Sequence, residues 1–166
     1  KIIKDLAMTE YFSNLETKDY DKLKDAVALI TLLIGGADGD LDKDEIAWAE
    51  KVTKIRSYKM SKDLIGFYQE VGKDFSEKLD QYVNDFPRST EDRTKLISER
   101  LEKLNPIMAS LDQSVAYHLY RSYISFAKHV AKASGGLFGF FSIGPHEGDL
   151  IDLPMITPIE MPEDRD

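Results

Sequence analysis

Ala26-Val27-Ala28-Leu29-Ile30-Thr31-Leu32-Leu33-Ile34-Gly35-Gly36 leads directly into Ala37-Asp38-Gly39-Asp40-Leu41-Asp42-Lys43-Asp44-Glu45, and this stretch decides the reading of the chain. Its first nine residues are apolar on nearly every helical face, with Thr31 the single interruption, which marks a helix buried all round. Nine residues fall far short of the ~20 that span a bilayer. The helix must therefore be enclosed by other helices of the same domain. Gly35 and Gly36 end it. The segment that follows concentrates five carboxylates between two helices.

Outward from there the 3.6-residue period persists in both directions. Residues 1–14 read as a first short helix, and 19–35 as the second. A third is expected over 42–59, with Ile46, Ala49, Val52 and Ile55 as its inner stripe. Ser61 is placed to cap a fourth, whose Leu64, Tyr68, Val71, Phe75, Leu79, Tyr82 and Phe86 step by three or four until Pro87 stops it. Ser89 and Asp92 suit the start of a fifth. Its stripe is Leu96 or Ile97, then Leu101, Leu104 and Met108, and Pro106 breaks or kinks it. The sixth, 111–133, turns Val115, Leu119, Tyr123, Phe126, Ala127 and Val130 inward. It turns Ser114, His118, Arg121, Ser122, Ser125, Lys128, His129 and Lys132 outward. No stretch alternates as a strand does. The expected fold is all-α, a compact bundle of about six helices over 1–152. Residues 153–166 form an extended acidic tail in which Pro154, Pro158 and Pro162 forbid a regular helix. Leu153, Ile156 and Ile159 are placed to lie along the body.

Composition excludes several chemistries. The chain of 166 residues has no cysteine, so thiolate metal sites, thiol nucleophiles and disulfides are ruled out. Its net charge is −8. Seven acids and one base from Glu147 onward carry −6 of that, leaving the body nearly balanced. Neither part attracts nucleic acid. With no apolar run long enough to span a membrane and no secretory signal, the cytoplasm is the expected compartment. No serine sits in a nucleophile elbow, no Glu-x-x-His pair is present, and the glycines of 135–144 lack the Lys-Ser/Thr of a phosphate loop. His118 and His129 lie eleven residues apart, about 16 Å along a helix, too far to share a metal. No enzyme is expected.

The acidic segment ends like a calcium EF-hand loop, with Gly39 at position six and Glu45 at twelve. Positions one and three would then be Ile34 and Gly36, which supply no side-chain oxygen, so this is not an EF-hand. Gly39 still permits a sharp turn, Leu41 anchors the loop, and Asp42 can cap the next helix. The plainer reading is a solvated acidic cap at a helix N-terminus. A second copy of the frame shifts the balance. Ala133-Ser134-Gly135, then Ile143 and Glu147, repeats Ala37-Asp38-Gly39, Leu41 and Glu45. Each copy follows a helix, which suggests a duplicated helix-loop unit.

On those residues the chain resembles the tellurite-resistance TerB-like family. The resemblance implies an all-helical fold with a pseudo-symmetric pair of acidic loops. It also implies binding of a divalent cation and a loose association with metal or stress responses at bacterial membranes, with a protein partner there. Carried over by position, Asp38 and Glu45 are ligands in the first loop and Glu147 in the second. Ser134 departs from the acidic pattern. Asp40 and Asp42 complete the candidate set of Asp38, Asp40, Asp42, Glu45 and Glu147, and all-oxygen donors suit calcium, magnesium or manganese. The alternative is a protein-interaction module without metal, using the aromatic stretch 137–141 and the acidic tail.

Overall fold

A computed structural model describes residues 10–37, 41–133 and 150–163. Among these the chain is helical with no strand. The principal helices are α1 (Thr17–Gly35), α2 (Lys43–Arg56), α3 (Lys62–Asp85), α4 (Thr90–Glu102), α5 (Asn105–Ala109) and α6 (Gln113–Ala133). The all-α bundle expected from the sequence is present. Of the expected first helix only its end, residues 10–12, lies within the described part.

α1 is the axis. Twelve of its nineteen residues are buried, including every residue from Ala26 to Gly35. It packs against α3, α6 and α4, while α2 closes the far side against α3 and α6. The α3 stripe is buried at every expected position from Leu64 to Phe86. An aromatic cluster pins the start of α1 to α3: Phe12 stacks on Phe67 at 5.6 Å between ring centroids and tilts against Tyr20 at 5.1 Å. Tyr123 Oη donates to Leu23 O at 2.6 Å and ties α6 to α1. Burial raises the Tyr123 hydroxyl well above the usual tyrosine range. The expected fifth helix divides. α4 stops at Glu102, and Pro106 starts the short α5, where a missing N–H costs nothing.

Three details differ from expectation. The buried stripe of α2 is Glu45, Ala49, Val52, Thr53 and Arg56, with Ile46 and Ile55 at its margins. Ser122, expected outside, is 3% exposed. Both differences have one cause. Arg56 Nη1 donates to Ser122 O at 2.7 Å and Tyr68 Oη at 3.0 Å, and Nη2 donates to Ser125 Oγ at 2.6 Å. Tyr68 Oη in turn donates to Ser122 Oγ at 2.9 Å. A buried guanidinium and its polar acceptors thus rotate α2 and part of α6 away from a purely apolar contact. Third, Gly36 ends α1 at φ −90°, ψ 7°, not in the left-handed conformation. Glycine is needed there for close approach: a Cβ would lie 2.7 Å from Leu32 O and 3.1 Å from Arg93 Nη2.

Residues 150–163 return to the body. Leu153 and Ile156 are 0% and 1% exposed within the core, and Ile159 packs at its edge. Asn105 brackets this segment, its Nδ2 donating to Met155 O at 3.0 Å and its Oδ1 accepting from Thr157 N at 2.9 Å.

Candidate cation site

The loop between α1 and α2 is clamped at its two described ends. At the start, Arg93 of α4, itself buried, donates from Nη2 to Gly36 O at 2.7 Å. Its Nη1 donates to Arg88 O at 3.2 Å. At the finish, Asp42 is the N-cap of α2. Its Oδ1 accepts from Glu45 N at 2.8 Å, and Glu45 Oε1 accepts from Asp42 N at 2.8 Å. This reciprocal capping box satisfies two N–H groups that a helix N-terminus otherwise leaves open. The sequence logic of Asp42-x-x-Glu45 is enough to produce it. Leu41 folds back towards Gly35, where a side chain larger than hydrogen would collide with its Cδ1.

Of the five candidate ligands, Asp42 and Glu45 are therefore brought together, one on each side of the capping box. Glu45 is 1% exposed, whereas Asp42 and Asp44 are exposed. Asp38, Asp40 and Glu147 lie outside the described residues, as do Ser134 and the aromatic stretch 137–141. Among the described residues no three His, Asp or Glu side chains gather as a metal cage.

The histidines are less idle than the sequence suggests. His118 Nδ1 and Asp63 Oδ2 are 2.6 Å apart, and Ser61 Oγ donates to Asp63 Oδ1 at 2.7 Å. Ser61 holds the N-cap position of α3, but its hydroxyl serves Asp63 rather than the backbone. The order is serine–aspartate–histidine, so the imidazole does not touch the serine and cannot activate it as a nucleophile. The pair instead links α6 to the start of α3. His129 has its imidazole pushed below the ordinary value, first by burial and then by the charges of Arg56 and Lys132. Sequence spacing carries no sign of the Asp63–His118 contact, because it joins residues 55 positions apart. Trp48 is partly buried against the core, with Lys51 Nζ 5.3 Å from its ring centroid. Among the described residues its Nε1 is buried without a hydrogen-bond partner.

No family model, curated protein or solved structure matches this chain. Among the described residues, no helix is long and apolar enough to cross a membrane.

Proposed function

We propose that this chain is a non-enzymatic, TerB-like helical domain that binds a divalent cation through the acidic loop between α1 and α2. The observation that supports this reading is Glu45: a buried carboxylate, fixed in direction by the capping box, at the end of a loop whose described ends are both clamped. Pre-organisation of this kind lowers the entropic cost of gathering ligands. Carboxylate oxygens select calcium, magnesium or manganese over softer ions. Arg93 brings a positive charge to the start of the same loop, so affinity is expected at the weak end, about 10⁻⁴–10⁻³ M.

The capping box gives the test its edge. Glutamine at position 45 keeps an oxygen that accepts from Asp42 N–H, so Glu45→Gln spares the cap and removes only the charge. A cation at about ten times its Kd adds ~1.4 kcal/mol to stability. Calcium or manganese should therefore raise the melting temperature of the wild type by about 3–6 °C. Glu45→Gln should melt close to the metal-free wild type and lose that rise. A melting temperature unmoved by every divalent cation refutes the proposal and favours the interaction-module reading. That second reading draws on Met161, 66% exposed in the acidic tail.

A further inference from the structure

A cleft of about 270 Å³ lies among α1, α3 and α4, away from the acidic loop. Its floor is apolar, made by Leu29, Leu104 and the ring of Tyr82, all buried. Lys22 of α1, Arg100 of α4 and Lys103, the C-cap of α4, supply three cations to its walls. Some lysines elsewhere on this surface are matched, Lys18 with Glu16, Lys24 with Asp21 and Lys73 with Glu70, and others, such as Lys54 and Lys95, are not matched among the described residues. Among the described residues Lys22, Arg100 and Lys103 have no ion-pair partner and no side-chain hydrogen bond. The one carboxylate in the cleft, Asp25, is already bridged by Lys78 Nζ at 3.0 Å. Arg100 rests over Phe86, 4.7 Å from the ring centroid, which steadies its guanidinium without using its N–H donors.

The chain carries a net charge of −8, yet among the described residues no acid pairs with these three groups. Clustered like charges repel, and they persist at least cost when an anion completes them. The buried floor adds a second requirement, because water alone gains nothing from Leu29 and Leu104. We propose that this cleft binds a small organic anion. Its carboxylate or phosphate head is held by Arg100, Lys103 and Lys22, and its short apolar body lies on Leu29, Leu104 and Tyr82. The volume is just below the ~300 Å³ at which ligand pockets begin, which limits the body to about one ring or a short chain. A guanidinium beside an ammonium suits such a head, since arginine offers two parallel donors and lysine a point charge.

The test is calorimetric titration of the full chain at low ionic strength with phenyl phosphate, benzoate, inorganic phosphate and phenol. Phenyl phosphate or benzoate should bind one to one, at least about tenfold tighter than either inorganic phosphate or phenol, since each of those satisfies only half of the cleft. Whichever organic anion binds tighter identifies the preferred head. Arg100→Gln and Lys103→Gln should each weaken binding about fivefold or more, and Lys128→Gln on the outer face of α6 should leave it unchanged. All three positions are exposed, so melting curves should match the wild type and confirm intact folds. Absence of saturable binding overturns the proposal. So does inorganic phosphate binding as tightly as phenyl phosphate, or Arg100→Gln and Lys103→Gln binding as the wild type does.

Discussion

Replacing Leu153 by alanine tests whether the tail belongs to the core. Leu153 is fully buried, in a short turn held by Leu153 N donating to Leu150 O and Ile156 N donating to Leu153 O, each at 3.0 Å. Leucine-to-alanine changes in cores cost about 2–5 kcal/mol, depending on how far the site collapses. A turn outside any long helix relaxes more readily than a helix–helix seam, so about 2–3 kcal/mol is expected here. At ~2–4 °C per kcal/mol for a domain of this size, the melting temperature should fall by about 4–12 °C. Leu153 also sits at φ 48°, in the left-handed region. Alanine inherits that strain of ~1 kcal/mol, whereas glycine escapes it. Leu153→Gly should therefore be no less stable than Leu153→Ala, against the usual order. Thermal and urea unfolding followed by far-UV circular dichroism would measure both. A Leu153→Ala protein that melts with the wild type would refute the docked tail.

Removing residues 160–166 should shift the melting temperature by no more than about 2 °C, because the described part of that segment is tied by one exposed bond, Gln113 Nε2 to Glu160 O at 3.1 Å. Tyr123→Phe should cost about 1–2 kcal/mol in urea unfolding, by stranding Leu23 O in the core. Gly36→Ala should destabilise by about 1–3 kcal/mol, since the new Cβ meets the Leu32 carbonyl. His129 takes up its proton less readily folded than unfolded, because its folded value lies below 6.5. The unfolded chain then binds more protons as the pH falls through 6.5, so this group withdraws stability on acidification and restores it on return. His129→Gln should flatten that slope in melting temperature between about pH 5 and 7.

The fold was legible wherever apolar spacing determines it. The α3 stripe from Leu64 to Phe86 and the inner face of α6 from Val115 to Val130 are buried as their periodicity predicts. Asp42 and Glu45 were also legible, because a capping box is a local pattern three residues long. The displaced stripe of α2 was not. Arg56 reads as a charge at the end of a helix, and only the arrival of Ser122 and Ser125 from more than sixty positions away makes its burial affordable. The Asp63–His118 pair and the cation-lined cleft escaped for the same reason. Each depends on which helix stands beside which.

The Arg56 network also acts as an address. Apolar contacts between α6 and its neighbours recur every turn, at Leu119, Tyr123, Phe126 and Val130, and greasy surfaces tolerate sliding. A slip of one turn, about 5.4 Å, would bring His118 or Phe126 to the place of Ser122. The Tyr68 hydroxyl would then lose Ser122 Oγ, and the buried guanidinium would meet Arg121 or His129 where Ser125 Oγ now accepts from it. Stranding a charge in that way costs several kcal/mol. Four polar side chains, Arg56, Tyr68, Ser122 and Ser125, among dozens of apolar ones thereby single out one alignment of three helices, so that the molecule has one arrangement where hydrophobicity alone would permit several.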